Sequence, residues 1–219
     1  MFKHLVSCSL LVMLAACNSK SGGDGTPTTP TPTNRAPVVA SVTVNPTFGI
    51  ADLQVFNFVA TASDPDGDAV TFNWVLAGNA RTGSSVQVAF ASPGGTGVGT
   101  VTVTDGKGGT ASSNVNFIVG SAAGAWTVTA GPLAGSTFSL AQNPAGFVTG
   151  TFFLPGIGNG NTDPAQPGQI LVNGNLTMRV KIGAFTDFNM NGTMSTTGRS
   201  ISGTLQGSGF SGDPFTMTK

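Results

Sequence analysis

Asp64-Pro65-Asp66-Gly67-Asp68-Ala69-Val70-Thr71-Phe72-Asn73-Trp74-Val75-Leu76 joins a turn to an alternating strand within thirteen residues. Pro65 fixes φ, the aspartates can accept hydrogen bonds from nearby backbone amides, and Gly67 tolerates positive φ. From Val70 onward, apolar side chains recur at every second position, the period of a strand with one buried face. Trp74 sits mid-strand and is the expected core anchor, with Phe58, Phe72 or Phe117 as its neighbour.

The same period runs through the flanking sequence. Candidate strands are Val38 to Val44, Val55 to Thr61, Val70 to Leu76, Ser85 to Phe90, Gly99 to Thr104 and Asn114 to Val119. Ser92-Pro93-Gly94-Gly95 and Asp105-Gly106-Lys107-Gly108-Gly109 punctuate them as turns. Short strands at this spacing over residues 36–120 predict a β-sandwich. Composition agrees: 32 of 219 residues are Gly and 13 are Pro, which suits tight turns and not helices.

Asp64, Asp66 and Asp68 admit two readings. Three carboxylates at alternate positions offer the hard oxygen ligands that calcium takes, and residues 36–119 carry five Asp against only Arg81 and Lys107. The same run is also what a plain turn requires, and the chain has no Glu to supply a bidentate ligand.

Several fragments together carry a family resemblance. Asn34-Arg35-Ala36-Pro37, the Ala62 to Asp68 run, Phe72-Asn73-Trp74, and Val101-Thr102-Val103-Thr104-Asp105-Gly106 before Gly108-Gly109 resemble a PKD-type or cadherin-like immunoglobulin-fold repeat. The resemblance implies an immunoglobulin-like sandwich. The family's pattern continues past its Trp into an acidic turn, where this chain has Val75-Leu76-Ala77-Gly78-Asn79.

Ser121-Ala122-Ala123-Gly124 reads as a small-residue hinge, and a second all-β pattern follows over residues 121–219. Its candidate strands are Ala125 to Ala130, Ser136 to Gln142, Phe147 to Leu154, Gln169 to Asn173, Asn175 to Ile182, Phe185 to Met194, Ser200 to Gln206 and Pro214 to Thr218. Short connections leave no room for parallel crossovers, so an antiparallel up-and-down β-barrel or meander of eight strands is expected. Val148-Thr149-Gly150-Thr151, Val172-Asn173-Gly174-Asn175, Met190-Asn191-Gly192-Thr193 and Ile201-Ser202-Gly203-Thr204 repeat one unit. Its glycine reads as an in-strand bend, with Asn173-Gly174 and Asn191-Gly192 as two-residue hairpin turns the competing reading. Pro155 to Gly168 reads as irregular. Gly124-Ala125-Trp126 resembles the opening of lipocalin- and avidin-like barrels, which implies a late basic residue over the Trp, either Arg199 or Lys219.

The amino terminus reads as an address. Met1-Phe2-Lys3-His4 precedes Leu5 to Ala16, an almost wholly apolar run. As a helix that run spans roughly 18 Å, short of the ~30 Å hydrocarbon core, so it is a signal-peptide core. Leu14-Ala15-Ala16-Cys17 resembles the lipobox of bacterial lipoproteins. The resemblance implies cleavage after residue 16, lipid on Cys17, and, with Asn18 next, the outer membrane. Residues 17–35, rich in Thr, Pro and Gly, read as a disordered stalk.

Chemistry is narrowed further by what is missing. His4, Cys8 and Cys17 are the chain's only His and Cys; Tyr and Glu are absent. Cleavage and lipidation would leave no imidazole and no free thiol for catalysis or zinc. Formal net charge is +0, which removes the drive toward nucleic acid. The expectation is a monomeric, non-catalytic surface or periplasmic lipoprotein that binds a protein or glycan, without cofactor unless calcium. The alternative is a carrier of a small apolar ligand inside the barrel.

Overall fold

The computed structural model describes residues 33–183 and 187–219; Cys17 and the leader lie outside them. Asn34–Lys219 forms one compact unit, and among the described residues every regular element is a strand. The first eight are β1 (Val38–Asn45), β2 (Phe48–Ile50), β3 (Val55–Ser63), β4 (Thr71–Leu76), β5 (Asn79–Thr82), β6 (Ser85–Ala89), β7 (Gly95–Thr104) and β8 (Thr110–Gly120). They form two sheets, β1-β3-β6 and β2-β8-β7-β4-β5, antiparallel except for β2 beside β8. This is an immunoglobulin-like sandwich. Alternate residues of β3, β4, β6, β7 and β8 face inward, as their period requires.

Trp74 is fully buried, 5.9 Å from Phe58 between ring centres, and its indole N–H donates to the Gly83 carbonyl at 2.9 Å. Phe58 in turn meets Phe117 edge-on at 5.2 Å. Phe72 shares the Trp74 face but is only partly buried near the sheet's end. β2 and β5 escaped the sequence reading because each is too short to display a period.

The remaining strands are β9 (Gly124–Ala130), β10 (Thr137–Gln142), β11 (Phe147–Leu154), β12 (Gly158–Thr162), β13 (Gly168–Ile170), β14 (Asn175–Lys181), β15 (Phe188–Met194), β16 (Ser200–Gly207) and β17 (Phe210–Thr218). Each pairs antiparallel with its neighbours, and β17 returns to pair with β9, closing a barrel of eight staves. One stave is broken. β12 and β13 both lie between β11 and β14, β12 at one end and β13 at the other. The stretch expected to be irregular therefore contributes half a stave. Its glycines and prolines hide the signal, since Asn159 and Asn161 alternate with Gly158 and Gly160 instead of apolar residues.

Gly150, Gly192 and Gly203 stand inside strands, as expected. Gly192 and Gly203 face each other across β15 and β16, and a Cβ on Gly203 would collide with the Asn191 carbonyl oxygen. Gly174 follows the competing reading instead: with φ of 83° and its N–H donating to the Leu171 carbonyl, it is a hairpin turn.

The expected hinge is a buried joint. Ser121 and Ala122 are 0% exposed. Ile50, on β2 of the sandwich, is also 0% exposed and belongs to the barrel's apolar cluster, with Phe48 and Leu53 packed beside it. The Gln142 side chain laces the joint: Nε2 donates to the Ala51 carbonyl at 2.9 Å, while Oε1 accepts from the Ala122 N–H and the Ser121 hydroxyl. A residue loses hinge freedom when its polar groups have partners and its side chain has no water to move into.

Candidate functional site

Sequence reasoning singled out the Asp64–Asp68 turn first. The fold does bring Asp64, Asp66 and Asp68 together, with one carboxylate oxygen from each within 4.8 Å of the others. It also brings two cations. Arg35 pairs with Asp66 at 2.7 Å, its own backbone N–H donates to the same carboxylate, and its guanidinium also reaches the Pro65 carbonyl. Lys107 pairs with Asp68 at 2.6 Å. Asp64 Oδ1 accepts from the Asp66 and Asp68 amides, and Gly67 takes φ of 80°. Hydrogen bonds from Arg35, its backbone N–H foremost, hold the Asp66 carboxyl below its ordinary range. The side-chain hydrogen bond to Asp68 raises the Lys107 pKa. One oxygen each of Asp64 and Asp68 is buried without a hydrogen-bond partner.

Beside this turn, the buried Asp105 carboxylate accepts from Asn34 Nδ2 at 2.7 Å and from the Lys107 and Gly109 amides. The Asn34 bond, followed by those amides, lowers its pKa. Asn34 and Arg35, which read as the end of the stalk, are thus tied to the sandwich. The turn chemistry accounts for most of this cluster: charge is matched pairwise, and backbone amides are capped.

The barrel offers a different surface. Its interior is packed with Trp126, Phe138, Phe152, Ile170, Met190, Phe215 and other buried apolar side chains, which occupy the space a cargo would need. Of the two basic residues expected over Trp126, Lys219 takes the place: its ammonium lies 4.7 Å from the ring centre and donates to the Ser121 and Ala123 carbonyls. Loss of water around that ammonium lowers its pKa.

The outer wall is polar, the reverse of a membrane-spanning barrel, whose outward band is apolar. Across β9, β10, β11 and β12 it carries a groove of about 590 Å³. Strand register sets the lining. Thr127, Thr137, Phe153 and Asn159 form one row across the four strands, and Ala125, Ser139, Thr151 and Asn161 form the next. These residues point outward because Trp126, Phe138 and Phe152, one position away, point in. A barrel wall is saddle-shaped, convex around its girth and concave along its strands, which lets a shallow trough form on an outer face. Sequence reading missed the groove, since its rows join residues from four separate strands. One signal was visible: Phe153 breaks alternation beside Phe152, leaving a large aromatic side chain 45% exposed.

The fold class is therefore an immunoglobulin-like sandwich fused to a closed antiparallel barrel. Residues 34–118 match a family model described as a bacterial Ig domain. Among solved structures, the PKD1 domain of Vibrio anguillarum Epp is similar, with 23% identity and a TM-score of 0.33, covering 40% of this chain and 96% of that one. A second similar structure comes from work on promiscuous carbohydrate-binding modules of the β-sandwich superfamily. It shares 20% identity with a TM-score of 0.37, and the match covers 68% of this chain and 59% of that one. No curated protein matches the chain.

Proposed function

We propose that this protein is a non-catalytic binding or adhesion module of the bacterial surface. Lipid on Cys17 holds it to the outer membrane, and the Thr- and Pro-rich stalk carries Asn34–Lys219 away from the bilayer. The observation that carries the reading is the barrel's polarity: apolar side chains fill the interior, and across β9, β10, β11 and β12 an uncharged hydrogen-bonding face points out. A filled interior removes the ground for the carrier alternative, which needs an internal void of at least roughly 300 Å³. The titratable side chains around the Asp64–Asp68 turn serve backbone capping and ion pairing, which supports a structural use of charge and not a catalytic one.

Cell fractionation tests the anchor. Wild type is expected with membranes and Cys17→Ala in the soluble fraction; a variant that stays with membranes overturns it. Beads coated with native or heat-denatured protein test the binding role on a cell layer. Native coating should retain more beads, and equal retention overturns the role.

A further inference from the structure

The groove on the barrel's outer wall has three properties that together define a ligand class. First, none of its lining residues is ionisable; one cation, Lys181, flanks its edge beside Asn161, so a charged ligand would gain little counter-charge along the groove itself. Second, its polar side chains are unspent. Thr127, Thr137, Ser139, Thr151, Asn159 and Asn161 make no side-chain hydrogen bond among the described residues, although all are exposed. Elsewhere on the same wall, some comparable groups satisfy one another: Ser202 with Thr216 at 3.0 Å, Thr193 with Asn175 at 2.9 Å, and Thr129 with the Thr216 carbonyl at 3.3 Å. Among the described residues, Thr177, Asn191 and Thr204 are unspent as well, but no aromatic face stands among them. Groups bonded only to water can exchange that water for a ligand with little net loss. Third, Phe153 stands in the middle of this polar field with its ring open to solvent, offering a flat apolar face.

From these we infer that the groove binds a neutral oligosaccharide, lying across β9, β10, β11 and β12 with one sugar ring stacked on Phe153. This inference rests on the binding-module reading above and names its ligand. A saccharide presents what the groove lacks: a ring face of C–H groups for Phe153, edged by hydroxyls that both donate and accept toward Thr, Ser and Asn. The competing chemistries fit less well. Nucleic acid needs cations to neutralise phosphate, and the lining has none. A lipid chain needs a continuous apolar surface, whereas Phe153 is flanked in its row by Thr137 and Asn159. An added peptide strand needs an open backbone edge, and β10 and β11 are paired on both sides. Adjacent strands lie about 4.8 Å apart, so four of them span roughly 14 Å, a length that suits a short oligomer better than a single sugar.

A printed array of neutral gluco-, manno-, galacto- and xylo-oligosaccharides, probed with the purified full-length protein, tests the inference. A parallel array of acidic oligosaccharides and matrix proteins tests the underlying role. Binding to at least one neutral series is expected. Phe153→Ala should weaken it about tenfold, the order of one aromatic contact, and Thr151→Val should weaken it as well. Thr177→Val, an equally exposed hydroxyl deletion on β14, should leave it unchanged, and affinity should hold from low to high salt. Both groove residues are exposed, so matched thermal melts will separate a binding loss from misfolding. Neutral-sugar binding that survives both groove variants overturns the site. Binding only on the parallel array overturns the ligand and keeps the binding module. Silence on both arrays overturns the two together.

Discussion

Replacing Ile50 with alanine perturbs the joint from the sandwich side while being felt in the barrel. Ile50 is 0% exposed and sits in the barrel's apolar cluster, although β2 belongs to the sandwich sheet. Truncating a buried Ile to Ala costs about 2–5 kcal/mol, from lost burial and the cavity left behind. For a unit the size of Asn34–Lys219, each kcal/mol moves the melting temperature by about 2–4 °C, so a mid-range loss of about 3 kcal/mol predicts a fall of roughly 6–12 °C. Ile50→Val, which removes one methylene, should cost about 0.5–1.5 kcal/mol and fall between wild type and alanine. The assay is calorimetry of the full chain, with the near-UV signal of Trp126 and Trp74 followed in parallel. If the joint is a shared core, wild type melts in one transition and both variants shift the whole of it. Two separate transitions, with the barrel's unmoved by Ile50→Ala, would show that the modules merely touch and would refute the reasoning.

Three further outcomes follow from single contacts. Gly203→Ala forces a Cβ into the Asn191 carbonyl, an overpacking that costs roughly 1–3 kcal/mol; a melting temperature equal to wild type would show that β15 and β16 can separate freely. Lys219, whose pKa is lowered by lost hydration, holds its proton less tightly in the fold than in the unfolded chain. Stability should therefore rise as pH climbs toward 10.5, and Lys219→Met should flatten that limb; identical slopes in denaturant titrations of both proteins would count against it. Millimolar calcium chloride should leave the melting temperature unchanged, because Arg35 and Lys107 already neutralise Asp66 and Asp68. A rise of several degrees that disappears in Asp64→Ala would make the turn a metal site after all.

What the sequence by itself determined is local. Alternation marked Trp74 as a core anchor from period alone, while its partner among Phe58, Phe72 and Phe117 was decided only when the strands paired. Turn chemistry placed Gly67, and composition left Glu and Tyr out of the available side chains before any fold was considered. Only the tertiary structure decided how those strands meet. Gln142 reaches Ala51 across 91 residues, Ile50 leaves its own sheet's core for the barrel, and two short segments share one stave. The groove belongs to the same category, because its two rows exist only once four strands are in register. Period is a property of neighbouring residues, whereas register and burial at a joint depend on pairings between segments far apart in the chain, each too weakly marked to announce its partner.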